Sequence, residues 1–179
     1  MFDYKKRIFS LLEKKHLSFL KDWRNKQMDV LRQTKPLADS DQKKWWICLK
    51  KDKNQSLFAI GINSEKGIEF VGYCGLTNID YSNKRAEISF LTAPERADNK
   101  KIYREDFLSA LNWLCRYGFK ELKLNKIFTE TFDFRKDHIK IIEEFGFKKE
   151  ATFRKQYFKE GKFCDSVIHS IFAEGNKKY

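Results

Sequence analysis

The residues able to do chemistry in this chain are sparse, and most of their spacings rule chemistry out. The four cysteines, Cys48, Cys74, Cys115 and Cys164, form no CxxC pair, and each sits in an apolar context. Buried free thiols are therefore expected, not a disulfide framework or a metal site. The three histidines also lack metal-ligand spacing, so no metal is expected. Charge stands out in one place. The stretch PERADNKKIYRED, Pro94 to Asp106, carries eight charged residues and no glycine between two apolar segments. What so charged a junction binds depends on the elements that flank it.

With 179 residues, 41% of them hydrophobic and 16% aromatic, the chain suits one domain, 1–179, with a sizeable core. The net charge of +12 invites a nucleic-acid reading. Its lysines, however, are spread along the chain, and no RNA-recognition or helix-turn-helix signature accompanies them. A solvated Lys-rich surface and an attraction for anionic small molecules such as phosphates remain open. No apolar run approaches the ~20 residues of a membrane span. The opening Met-Phe-Asp-Tyr-Lys-Lys-Arg leads into no signal-peptide core. A cytoplasmic protein, monomeric or homodimeric and without a membrane partner, is expected.

Periodicity supplies the elements. Residues 5–12 read as a strand. Residues 13–25 read as a helix, with Leu17, Leu20 and Trp23 at helical spacing. Asp39 and Gln42 resemble a capping box that opens a helix through Trp45, Trp46 and Leu49, although Trp45–Leu49 alone suits a strand equally well. Three strands follow, over 57–63, 68–80 and 86–93, as an antiparallel meander. Phe107–Phe119 reads as a helix, Leu124–Phe132 as a strand, and Ile139–Phe145 as a helix stopped by Gly146. The tail, 151–158 and 163–172, reads as a hairpin around Glu160-Gly161. The expected fold is mixed α/β: a mostly antiparallel, seven-stranded twisted sheet flanked by about four helices.

Several stretches together resemble the GNAT superfamily of acetyl-CoA-dependent N-acetyltransferases. They are Trp23-Arg24-Asn25, Phe70-Val-Gly-Tyr-Cys-Gly-Leu-Thr-Asn-Ile-Asp80, Ala86-Glu-Ile-Ser-Phe90 with Pro94-Glu95, Tyr117-Gly-Phe-Lys-Glu-Leu122, Ile141–Glu150 and Tyr157–Ser166. The branch they resemble holds ribosomal-protein alanine and nucleotide-amino-sugar acetyltransferases. The likeness implies acetyl-CoA in a V-shaped gap between the fourth and fifth strands, and transfer by direct attack of a primary amine.

The resemblance also implies roles for residues. A backbone N–H near Phe90, Leu91 or Thr92 would polarise the thioester carbonyl. Glu87 would be the base, with Glu69 and Glu130 as weaker candidates. His138 would give a proton to the departing thiolate; Tyr103 and Tyr157 are further hydroxyl donors. Trp23, Arg24 and Asn25 would line the acceptor side, where Arg24 suits an anionic acceptor such as a nucleotide sugar. The family's glycine-rich pyrophosphate loop falls on Ile102–Phe107, where this chain has no glycine. Asn99, Lys100, Lys101, Ile102, Tyr103 and Arg104, with Arg135 from the next helix, would then hold coenzyme A. Two other functions stand beside this one: a non-catalytic GNAT-fold binding module with a degenerate loop, and a basic nucleic-acid-binding protein.

Overall fold

The computed structural model describes residues 7–174. Lys5 and Lys6, the start of the expected first strand, lie outside the described residues, as do both ends of the expected 1–179 domain. Seven strands form one sheet: β1 (Ile8–Leu11), β2 (Ser56–Ser64), β3 (Gly67–Asp80), β4 (Arg85–Thr92), β5 (Lys126–Phe132), β6 (Lys148–Lys159) and β7 (Lys162–Phe172). Their order across the sheet is β1-β2-β3-β4-β5-β7-β6.

Five of the six neighbouring pairs are antiparallel, and β4 with β5 is parallel. That parallel pairing lasts only from Arg85↔Lys126 through Glu87↔Phe128. Beyond it the two strands part. β4 stays on β3 as far as Thr92↔Gly72, and β5 stays on β7 as far as Phe132↔Ser166. The sheet is thereby split by a wedge held open from both sides. Successive strand amides point to alternate edges, so half of the β4 backbone groups beyond Ile88 face that wedge and not a partner strand. A Cβ on Gly72 would lie 2.7 Å from the Leu91 carbonyl, so the close approach of β3 to this part of β4 requires glycine.

The strands' period of two sends alternate side chains to two cores. On one face α1 (Leu17–Lys26) and α2 (Asp39–Leu49) bury Leu20 and Trp23 against Leu57, Ala59, Tyr73 and Leu91. On the other, α4 (Lys100–Arg116) and α5 (Lys136–Phe145) bury Phe107, Leu111, Leu114 and Ile142 against Ile60, Leu76, Ile88 and Ile127. On β5 the polar-looking row Ile127, Thr129, Thr131 is buried. Gly146 ends α5 at φ +126°, as its C′ position demands.

The charged junction is helical. Pro94–Ala97 forms the short α3, and α4 begins at Lys100, seven residues before the expected Phe107. Asn99 caps α4, its side chain accepting the Ile102 N–H at 3.1 Å. Lysine, arginine and glutamate are good helix formers, so the density of charge does not oppose this extension. Among the described residues there are thus five α-helices, the short α3 adding one to the four or so expected.

Two local expectations also change. Residues Trp45–Leu49 are helical, yet α2 is capped at Ala38, whose N–H donates to Asp41 Oδ2 at 2.9 Å. Asp39 instead accepts Lys21 Nζ at 2.7 Å. Cys48 is exposed on α2, whereas Cys74, Cys115 and Cys164 are buried as expected. Among the described residues no helix is long and apolar enough to cross a membrane.

Candidate active site

The wedge opens into a cavity of about 100 Å³, lined by Ser89 and Phe90 from β4 and by Thr129, Glu130 and Thr131 from β5. Next to it a groove of about 930 Å³ runs between the start of α4 and the start of α5. Val30, Arg135 and His138 line both, so the two spaces meet at the N-terminus of α5.

At that meeting point three polar side chains form one unit. Tyr103 Oη lies 2.7 Å from His138 Nδ1, and Arg135 Nη2 donates to Tyr103 Oη at 2.9 Å. Arginine only donates, so the phenol oxygen accepts from Arg135. The neutral His138 tautomer with its proton on Nε2 lets Nδ1 accept the phenol proton, which satisfies both groups. Its surroundings agree. Burial, then the charges of Arg135 and His169, hold the imidazole well below the usual histidine range. The ring is stacked on Phe107, with centroids 4.3 Å apart. Burial raises the Tyr103 pKa, and Arg135 opposes that rise. His138 is therefore a buried, oriented imidazole, not the polar surface residue that the first turn of a helix usually carries.

The carboxylates converge on the opposite side of the sheet. Glu87 is buried, and Arg32, from the segment between α1 and α2, donates to its Oε1. Asn78 Nδ2 donates to Glu87 Oε2 at 2.9 Å. Arg32 also reaches Glu130 Oε2, at 3.1 Å, while Tyr157 Oη and Ser166 Oγ donate to Glu130 Oε1 at 3.0 and 2.7 Å. Strand alternation sets Glu87 opposite Ile88 and leaves its face open; the parallel pairing Glu87↔Phe128 puts Glu87 and Glu130 on one face. Glu69 is exposed on β3; neither it nor the buried Glu87 lines either space, whereas Glu130 lines the wedge cavity.

The family model for the acetyltransferase (GNAT) domain matches residues 9–168. The chain belongs to this GNAT acetyltransferase family. A curated relative, an uncharacterized N-acetyltransferase p20 of Bacillus licheniformis, is 30% identical over 104 residues, which cover 58% of this chain and 55% of that protein. The chain thus spans about half the length of the curated relative it matches. Among solved structures, the spermidine N-acetyltransferase of Vibrio cholerae in complex with CoA and spermine superposes with a TM-score of 0.81. It shares 21% identity, with 93% of this chain and 95% of that chain covered. A chimera of the same Vibrio cholerae enzyme gives a TM-score of 0.82 at 21% identity, covering 94% and 96%. These two likenesses are of fold.

A GNAT domain implies acetyl-CoA, and the groove carries an excess of positive charge, with Lys100 paired to Asp137 and Arg104 to Glu144. Six basic side chains line it, Lys26, Lys100, Arg104, Arg135, Lys136 and Lys140, against the four acidic Asp29, Asp98, Asp137 and Glu144. Of the expected cofactor residues, Lys100, Tyr103, Arg104 and Arg135 line the groove, and Phe90 lines the wedge cavity. Leu91 and Thr92 have buried side chains, so only their backbones remain for a ligand. Lys101 and Ile102 sit on α4 away from the lining, and Asn99 is committed to the cap.

The expected replacement loop, Ile102–Phe107, is part of a helix, whose N–H groups beyond the first turn bond within it. The carboxylates there do not meet the groove. Glu105 pairs with Arg7, and Asp106 is fully buried. Asp106 accepts Arg7 Nε at 2.6 Å and Arg96 Nε and Nη2 at 2.7 and 2.8 Å, with Thr92 Oγ1 at 3.1 Å. The charge of Asp106 is thus neutralised inside the protein, and that of Glu105 is turned toward Arg7.

The acceptor-side trio does different work from that expected. Trp23 is buried and stacked on Phe70, with centroids 5.0 Å apart. Asn25 pins the segment after α1 by bonds to Leu37 and Gln33. Arg24 bonds Gln33 and reaches Tyr73 Oη at 3.4 Å; Tyr73 Oη in turn lies 3.0 Å from Ser89 Oγ. Arg24 therefore touches the wedge only through a chain of hydrogen bonds. Arg7, Arg32 and Lys159 were missed by sequence reasoning, because each acts on a distant segment; Arg96 lies in the charged junction itself, but its partner Asp106 is brought to it only by the turn from α3 into α4.

Proposed function

We propose that this chain is an acetyl-CoA-dependent N-acetyltransferase acting on a primary amine by direct attack on the thioester. The observation that carries it is the meeting of the β4–β5 wedge with the Tyr103–His138–Arg135 unit, in a GNAT domain. Bound acetyl-CoA would supply the activated acetyl group. The backbone N–H groups of Phe90–Thr92 that face the wedge are placed to receive developing negative charge on an oxygen. Lys100, Arg104 and Arg135 would hold its phosphates.

Protons have defined routes. As the new C–N bond forms and the C–S bond breaks, the amine gives up a proton and the thiolate takes one. His138 Nε2–H can supply the thiolate while Nδ1 takes the Tyr103 proton, leaving a phenolate beside the Arg135 guanidinium. Glu87 is the acceptor for the amine proton. The sequence branch suggests an amino-sugar nucleotide or a protein N-terminus as acceptor, and the Vibrio cholerae fold relative was solved with spermine, which adds small polyamines. Calorimetric titration with acetyl-CoA, coupled to thiol release in the presence of an amine panel, tests the reading. Binding and amine-dependent thiol release are expected; no binding at millimolar acetyl-CoA would overturn it.

A further inference from the structure

Arg32 is an odd resident for the centre of a cleft. It comes from a surface segment, its side chain is 46% exposed, and its guanidinium bridges two carboxylates on different strands. We propose that Arg32 is a displaceable plug in an amine site. An acceptor with a second cationic centre displaces it, seating that centre on Glu130 and releasing Glu87 Oε1 to take the proton of the reacting amine. This rests on the acetyltransferase reading for its chemistry, but not for its binding.

Glu87 and Glu130 are both largely buried, and two carboxylates so placed need a cation between them. Neither depends on Arg32 for its position. Asn78 holds Glu87, while Tyr157 and Ser166 hold Glu130, so the seat persists when the guanidinium leaves. The departure needs no backbone movement. Lys159 Nζ donates to the carbonyls of Met28, Leu31 and Gln33, at 2.7 Å for Met28 and 3.3 Å for Gln33, which anchors the segment on both sides of Arg32. Only a long, half-exposed side chain has to swing out.

The charge balance selects the acceptor class. With Arg32 in place the three groups sum to one negative charge; with it displaced, to two. An acceptor's phosphate or carboxylate would meet those carboxylates, whereas an ammonium replaces the guanidinium like for like. The surface as a whole, at +12, repels cations, so this pair is a local reversal of sign.

The test is calorimetric titration of the full chain, with and without coenzyme A, using three amines of equal length. They are cadaverine (two cations), pentylamine (one cation) and δ-aminovalerate (one cation, one anion). Cadaverine is expected to bind about tenfold or more tightly than either other amine, as removal of a charge-assisted bond implies. Glu130→Gln should erase that preference, and Arg32→Ala should tighten cadaverine binding by about tenfold. Equal or tighter binding of δ-aminovalerate or pentylamine, no cadaverine binding at millimolar concentration, or weaker cadaverine binding by Arg32→Ala would each overturn the proposal. If Arg32→Ala does not fold, the wild-type ranking decides alone. Cadaverine preference without acetyl-CoA binding would remove the acetyltransferase reading and leave the plug; acetyl-CoA binding with δ-aminovalerate preferred would do the reverse.

Discussion

Tyr103 Oη and His138 Nδ1 lie 2.7 Å apart although the two residues sit on different helices. The contact couples the phenol to the imidazole, so a proton can pass between them. Tyr103→Phe keeps the ring packing on Phe90 and Phe107 and removes the hydroxyl, with its bonds to His138 and Arg135. The expected result is a fall in kcat of about 10²-fold with little change in KM for acetyl-CoA, as for loss of a general acid. Steady-state kinetics checks it, and a change confined to KM would remove Tyr103 from the relay.

Stability should respond to acid through His138. Its folded pKa is depressed, so between that value and the ordinary value of about 6.5 the unfolded chain binds more protons than the folded one. The stabilisation is complete above about pH 6.5 and is lost as pH falls toward the folded pKa. His16, depressed mainly by burial, adds with the same sign. The drop in Tm between pH 7 and pH 5 should therefore shrink, but not vanish, in His138→Gln. An unchanged drop would place the effect elsewhere.

Asp106→Asn should be severely destabilising. It leaves Arg7 and Arg96, both largely buried, sharing a neutral amide. Breaking a buried ion pair from one side costs about 3–5 kcal/mol. Urea unfolding measures it; a loss below about 1 kcal/mol would mean that the clamp is no more than a surface pair.

Lys159→Met should loosen the acceptor side with little effect on the groove. It strands three carbonyls of the 28–33 segment, at about 1–2 kcal/mol of local stability. Hydrogen exchange in that segment should rise, and KM for the amine should rise while acetyl-CoA affinity holds. Equal weakening of both ligands would contradict a role confined to this segment.

Much of the framework was legible in residue order. Alternating strands, the Gly146 stop and the closing hairpin all lie where periodicity puts them, because each signal is local. The junction at Pro94–Asp106 was misread as a loop because its charge hid good helix formers behind an asparagine cap. Its buried carboxylate could not be seen: the Arg7–Asp106 bond joins residues 99 apart, and the Lys159–Met28 bond residues 131 apart.

Element types, the strand meander and the chemistry available to Glu87, Tyr103 and His138 follow from the order of residues alone, since backbone periodicity and side-chain functional groups are local properties. Which of those groups meet is a property of the folded sheet. β4 and β5 part after three rungs, and that splay brings Glu87 and Glu130 to one guanidinium and the N-terminus of α5 to Tyr103. Register and splay are set by packing on both faces at once, which no single stretch of sequence contains.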